Sequence, residues 1–234
     1  MTIRIVTDST SDLSPQVAEE LGITVVPVYV RFGEKVYRDG VDISQDEFYQ
    51  QLVQSPVHPF TSQPSPSDFA DVYSELSKET DEVVSIHLSS KVSGTYDSAL
   101  RGRELAQAKC HIEVVDSLSV SMGLGLIAMA AARLAKMGEG LHEVMNELGQ
   151  AISGTRIFGL LDTLRYLLLG GRIGKAKALL GTLLNVNPLL TMRNGELSPA
   201  GLARTRAKGI ERLLDFVNGA LNIQELAIVH STTP

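Results

Sequence analysis

The chain of 234 residues has no tryptophan, one cysteine and five histidines. A lone Cys110 excludes an intramolecular disulfide and any multi-thiolate zinc site. His58, His87, His111, His142 and His230 are scattered without metal-ligand spacing. Each is read as structural or solvated, and no metal is expected. No apolar run reaches the roughly 20 residues that span a bilayer. The longest apolar-rich stretch, Met122 to Ala135, is broken by glycines. No basic start precedes an apolar segment, so no secretory signal is read and a reducing cytoplasm is expected. A Walker A loop, a dinucleotide fingerprint and a Gly-x-Ser-x-Gly elbow are all missing. The basic residues are dispersed and the net charge is −6, which argues against a nucleic-acid partner.

What remains is an ordinary folded composition, 44% apolar and 21% charged, long enough for one large domain or two small ones. The charge is uneven. Residues 1–150 carry 22 acidic and 11 basic side chains, residues 151–234 only 5 against 10. Such a break marks a domain boundary or an anionic ligand site, and mutual attraction of two domains is the preferred reading. We place the domains at 1–154 and 155–234, the second incomplete at its C-terminal end.

The first half alternates strand and helix. Ile3 to Val6 reads as a buried strand, and Ser14-Pro15 opens a helix that Gly22 closes. Ile23 to Phe32 is rich in β-formers and turns through Gly33-Glu34 into a hairpin. Ser44 with Glu47 forms a capping box for a helix to about Gln54. Ser55 to Pro66, with four prolines, reads as a loop, and Ser65-Pro66 starts a helix to about Ser77. Strands follow at 83–88 and 112–115, with helices at 96–108, 120–137 and 141–153. This pattern predicts a mostly parallel sheet with helices on both faces. Polar clusters follow three strands, at Asp8, at Ser89 to Thr95 and at Asp116, where ligands sit in open α/β sheets.

The second half predicts a smaller α+β domain. A strand is expected at 156–161, and a helix capped by Asp162 runs to Leu169 before Gly170-Gly171. Another helix is expected from Lys175 to Leu184. Asn194-Gly195 signals a hairpin between 188–192 and 196–202. A long helix covers 204–221 and a strand 226–229.

The sharpest chemical feature is Ser89-Ser90-Lys91-Val92-Ser93-Gly94-Thr95, four hydroxyls in seven residues at a helix entrance. Helix N-termini bind anions through free backbone N–H groups. Capping explains one hydroxyl well and four poorly, so an anion site is the preferred reading. Thr61-Ser62-Gln63-Pro64 could reach the same anion, though a Ser/Pro-rich loop is usually only a turn. Arg172, between glycines, serves equally as an anion ligand or as a solvated side chain beside a helix cap. Asp8 and Asp116, with Ser9 and Ser117, read more readily as structural polar loops than as a metal site or a base. Apolar helices such as 123–132 suit core, and secondarily a tunnel for a flexible chain.

Together these segments resemble the DegV family. The matching pieces are Ile5 to Leu13, Thr61 to Pro66, Ser89 to Tyr96, Val115-Asp116-Ser117, Gly170 to Ile173 and Asn187 to Leu190, in order over nearly the whole chain. The resemblance implies a two-domain α/β protein that holds one long-chain fatty acid between its domains. It also implies presentation of the carboxylate to a fatty acid kinase, which forms an acyl phosphate for phospholipid synthesis. The protein would then be a carrier, not an enzyme, with no cofactor beyond the lipid and only transient membrane contact. The carboxylate would lie on Thr61, Ser62, Ser93, Gly94 and Thr95, with Arg172 at the head-group or kinase-facing surface. Family members continue past this end and carry there a histidine of the carboxylate network, a role His230 does not take. The competing expectation is a hydrolase or transferase using the same Ser/Thr loops on an acyl or phosphorylated substrate.

Overall fold

The structure, a computed structural model, describes residues 3–179 and 186–231. The chain divides into two units, Met1–Thr155 with Ala227–Pro234, and Arg156–Leu226.

The first unit begins with β1 (Ile3–Asp8), α1 (Pro15–Leu21) and β2 (Ile23–Val26). It continues through β3 (Tyr29–Phe32), β4 (Lys35–Arg38), α2 (Gln45–Gln54) and β5 (Phe60–Ser62). Then come α3 (Pro66–Leu76), β6 (Glu82–His87), α4 (Thr95–Leu105), β7 (His111–Asp116), α5 (Met122–Met137) and α6 (Leu141–Gly154). Four strands form an all-parallel sheet in the order β2-β1-β6-β7. Both faces are covered, as parallel sheets require. Ile3, Ile5, Ile23, Val84 and Ile86 point to one face and pack with α5 and α6 residues such as Leu124, Ile127 and Leu148. Val6, Val26, Val83, Ile112 and Val114 point to the other, against Phe69 and Tyr73 of α3 and Ala99 of α4. Each fully buried side chain of this size contributes about 1.5–3 kcal/mol. The core reading of the apolar helix therefore describes α5, and the α/β architecture is as expected.

The β-rich run Ile23 to Phe32 is two strands of different sheets. Pro27 has no N–H to give to a ladder, and the Val28 amide donates to Ser9 Oγ at 3.1 Å. Beyond this break β3 pairs antiparallel with β4 and with β5, giving a satellite sheet of order β4-β3-β5. β5 lies inside the proline-rich segment read as loop, which is a correction. All three of its residues are exposed, so no apolar pattern announces it; only main-chain pairing with β3 makes it a strand. Ser44 and Ser65 each close a full capping box, with Glu47 and Asp68.

The second unit holds β8 (Phe158–Leu160), α7 (Arg165–Leu169), a 3-10 segment over 174–179, β9 (Asn187–Arg193), β10 (Glu196–Ala203) and α8 (Arg206–Asn218). Its antiparallel sheet has the order β10-β9-β8. Asn194 and Gly195 both take positive φ, as a two-residue hairpin turn demands. Leu164, Ile173, Ala176 and Leu190 form its core. Phe158 stacks on Phe216 of α8 with centroids 4.6 Å apart.

Three expectations fail in this unit. Asp162 does not cap α7, whose N-cap is Leu164. The Asp162 carboxylate instead accepts from Asn187 Nδ2 at 3.0 Å and from Arg206. The helix expected over 175–184 is 3-10 up to Leu179, and the rest of that range lies outside the described residues. Residues 226–229 form no strand; Leu226, Ile228 and Val229 are exposed and pair with no ladder.

Candidate functional site

In the parallel sheet β1 has β2 on one side and β6 on the other. The order therefore switches between β1 and β6, and open α/β sheets bind ligands past the carboxyl ends of such a pair. Asp8 ends β1, His87 ends β6 and Asp116 ends β7. The three polar clusters thus converge on one end of the sheet. Three non-glycine residues with positive φ, Asp12, Leu118 and Ser121, lie on the loops there. Such residues cost about 1–3 kcal/mol each and gather at functional ends.

The Ser89 to Thr95 loop folds on itself. Val92 and Ser93 amides donate to the Ser89 carbonyl at 2.9 and 3.2 Å. Ser89 Oγ is buried and accepts from the Lys91 amide at 3.2 Å. Ser93 Oγ lies 2.9 Å from Thr95 Oγ1 and accepts from the Thr95 amide at 3.3 Å. The N-cap of α4 is Gly94, which brings no side chain to the first-turn N–H groups. Ser93 and Thr95 thus pair with each other rather than capping the second or third residue of the helix.

Gly94 explains how the other loop arrives. A Cβ placed there would lie 2.8 Å from Gln63 Nε2 and 3.2 Å from Gln63 Cδ. Glycine leaves room for the Gln63 amide against the helix entrance, and a Cβ there would make that amide shift. The Thr61–Gln63 segment therefore meets the Ser93–Thr95 segment, although they are thirty residues apart in sequence. Two anchors hold that segment. Thr61 and Ser62 pair with Val30 and Tyr29 of β3. Beyond it the Ser65 amide donates to Asp68 Oδ2 at 2.7 Å, and Tyr29 Oη donates to the same oxygen at 3.1 Å.

Asp116, Ser117 and Ser9 hold the loops in place. The Asp116 carboxylate accepts from Leu118 N at 2.9 Å and from Ser90 N at 3.3 Å. Ser117 is buried; its hydroxyl accepts from Ser119 N at 3.1 Å, and its amide donates to His87 O at 3.0 Å. Ser9 accepts from Val28, and it also hydrogen-bonds the Asp39 carboxyl. Burial raises the Asp39 pKa above the usual carboxylate range, Ser9 opposes this, and nearby Asp8 adds to it. Arg172 belongs to the second unit, where it is exposed and donates to Gly170 O at 2.5 Å.

From sequence His87 reads as structural or solvated, and the structure makes it a buried member of a hydrogen-bond network. Asp8, Ser85 and His87 are wholly buried. His87 Nδ1 lies 3.0 Å from Asp8 Oδ2, and Nε2 lies 2.7 Å from Ser85 Oγ. Tyr73 Oη donates to Ser85 Oγ at 2.8 Å. The connectivity is that of a Ser-His-Asp triad, but the serine hydroxyl has no exposed surface and is covered by Tyr73. A signal was available. Ser85 and His87 stand two apart in the run Val83 to Leu88, so they share one buried sheet face. Polar side chains on such a face must find partners.

No group of three or more His, Cys, Asp or Glu among the described residues is arranged to hold a metal ion. No helix among them is long and apolar enough to cross a membrane. A surface hollow lined by Arg4, Glu20, Gly22 and Lys136 lies at the amino ends of the strands, away from the hydroxyl loops.

Comparison with known proteins agrees with this architecture. The model of a family described as uncharacterised protein, DegV family, matches residues 2–234. A DegV domain-containing protein of Deinococcus radiodurans is 40% identical over 218 residues, which is 93% of this chain and 76% of that protein. A solved DegV family protein from Thermus thermophilus, described by its fatty acid binding, is 40% identical with a TM-score of 0.85, covering 93% of this chain and 77% of that one. A stearic acid-binding protein from Eubacterium ventriosum is 34% identical with a TM-score of 0.85, covering 92% and 75%.

Proposed function

This chain belongs to the DegV family, and from that premise we propose that it binds one long-chain fatty acid and presents the carboxylate to a fatty acid kinase. The observation that carries the reading is the meeting of Gln63 with Gly94, which joins two hydroxyl-bearing loops at one helix entrance. The carboxylate is held by Thr61, Ser62, Ser93 and Thr95, with Gly94 allowing close backbone approach. A carboxylate leaving water needs such donors. An acyl chain contributes roughly 0.8 kcal/mol per buried methylene, so affinity comes from its length and the hydroxyls supply orientation. The fatty acid binding described for the Thermus thermophilus and Eubacterium ventriosum proteins supports the ligand class.

The protein works as a cytoplasmic carrier, and the kinase supplies the chemistry. The neighbour of the Ser93 hydroxyl is another hydroxyl, Thr95, rather than a histidine. That pairing supports binding over nucleophilic catalysis, which needs an adjacent base. Arg172 serves the head-group or kinase-facing surface, where a guanidinium suits acyl phosphate or carboxylate.

Solvent extraction of the purified protein followed by mass spectrometry tests this reading. About one fatty acid per chain is expected, with occupancy reduced in Ser93→Ala and Thr61→Ala. Failure to retain or take up any fatty acid overturns it. Acyl phosphate formed only when this chain, a fatty acid kinase and ATP are combined tests the partner.

A further inference from the structure

We propose that Asp8, oriented by His87, is the positioning residue that sets the head-group loop for a carboxylate ligand; this rests on the fatty-acid reading above. The paired register of β1 with β6 runs from Ile3 and Glu82 to Val6 and Ser85. Past that point no β1–β6 ladder pair follows, and the Asp8 side chain takes over from the ladder. Its Oδ2 accepts from the Leu88 amide at 3.2 Å and from His87 Nδ1 at 3.0 Å. Its Oδ1 accepts from the Thr10 amide at 3.1 Å and from Thr10 Oγ1 at 2.5 Å. Four donors converge on a carboxylate with no exposed surface, and buried carboxylates are tolerated when they are satisfied in this way.

Leu88 is the last residue before the hydroxyl loop. The next carbonyl, that of Ser89, receives the Ser93 amide at 3.2 Å. The path from Asp8 to Ser93 is therefore one hydrogen bond, one peptide link and one hydrogen bond. His87 holds the carboxylate at its correct rotation. The Asp8 carboxylate can only accept, so the His87 proton sits on Nδ1 and points at Asp8. In that neutral ring Nε2 accepts from the Ser85 hydroxyl, whose oxygen accepts in turn from Tyr73 Oη. Asp8 and His87 touch no ligand; they act through Leu88 and Ser89. The Tyr73 end of the chain adds stability without setting the loop.

The test compares affinity for a fluorescent long-chain fatty acid with affinity for its methyl ester, in the full chain, with melting temperature measured alongside. A merely structural network changes stability and leaves the acid-to-ester ratio alone. The wild-type protein is expected to prefer the acid at least tenfold. Asp8→Asn and His87→Gln, which lacks a donor at the Nδ1 position, should lower that ratio at least fivefold. His87→Asn, whose amide can donate from that position, should keep it within twofold. Tyr73→Phe should lower the melting temperature and keep the ratio. Thr10→Val, at a partly buried donor to the same carboxylate, carries the test if the buried variants do not fold, with at least a threefold loss expected. A wild-type protein that binds neither compound, or both equally, overturns the fatty-acid reading and this inference together. An acid preference that survives in folded His87→Gln, Asp8→Asn or Thr10→Val overturns the inference alone. A ratio that falls in Tyr73→Phe in step with its stability also overturns it.

Discussion

The two units are built from similar residues and bury them differently. In the first, every strand of the parallel sheet is covered on both faces, and Val83, Val84, Ile86, Leu124 and Ile127 retain almost no exposed surface. In the second, a small cluster around Leu164, Ile173, Ala176 and Leu190 is the core. Tyr166, Leu168, Leu169, Ile210 and Leu214 stay substantially exposed there. The difference follows from layering. A parallel sheet is closed by its own crossover helices, whereas the described residues of the second unit give a three-stranded antiparallel sheet one long helix, α8, which covers less. Apolar content alone therefore does not say where stability resides; the number of covered faces does.

The largest expected effect breaks that comparison directly. Leu124→Ala removes a wholly buried side chain between α5 and the sheet. A cost of about 2–5 kcal/mol is expected in a denaturant titration. Leu214→Ala, at a position 58% exposed on α8, is expected to change stability by less than about 0.5 kcal/mol. Equal losses from the two would mean that the α8 face is covered in solution.

The next effect sharpens it within the second unit. Phe216 stacks on Phe158 with an interplanar angle of 8°. Phe216→Leu keeps an apolar side chain and removes the ring pair, so a loss of about 0.5–1.5 kcal/mol is expected. Phe158→Leu in the same background should then cost little more, because the pair is already broken. Fully additive losses would remove the stack as a source of stability.

A smaller effect separates helices held by burial from helices held by their ends. α2 buries none of its residues, and its capping box is complete. Ser44→Ala should cost about 1 kcal/mol. Amide exchange should rise over 45–54 and stay unchanged in α5, whose interior face carries it. Faster exchange throughout the first unit would show α2 to be part of the main cooperative core.

The same contrast sets how much was legible in advance. Two-faced strands read as continuous apolar runs bounded by polar turns, so β1, β6, β7 and their helices could be placed from pattern alone. The capping boxes at Ser44 and Ser65 could be placed from spacing. β5 could not, because an exposed strand of three residues has no periodicity and exists through pairing with β3. Asp162 has the chemistry of a cap, but Asn187 and Arg206, distant in sequence, claim its oxygens. At the candidate site the hydroxyl loops were visible as composition. Their meeting depends on Gln63 lying over Gly94, which no local pattern encodes. His87 was visible only as a polar residue in a buried strand, and its partner Asp8 lies 79 residues away.

The smallest effect comes from acid, and it works in opposite directions at two neighbouring aspartates. Asp42 is held down to about 2 by hydrogen bonds from the Arg38 side chain and amide. A carboxyl whose folded pKa lies below its unfolded value of about 3.9 stabilises the fold above that value. The contribution is lost as pH falls toward 2. Asp39 is shifted the other way, first by burial and then by repulsion from Asp8, against the Ser9 hydrogen bond. Its ionised form works against folding at neutral pH, and protonation on acidification relieves it. Asp42→Asn should therefore lower the melting temperature at pH 7 and flatten its decline between pH 4 and 2. Asp39→Asn should raise it slightly at pH 7, because the amide oxygen can still accept from Ser9. The Arg38–Asp42 pair is exposed, so added salt should shrink the first effect. The Asp39 effect depends on burial and should persist. A decline as steep in Asp42→Asn as in wild type would place the acid sensitivity elsewhere. A lowered melting temperature in Asp39→Asn would mean that its negative charge is being used, and Ser9 would be the first donor to examine.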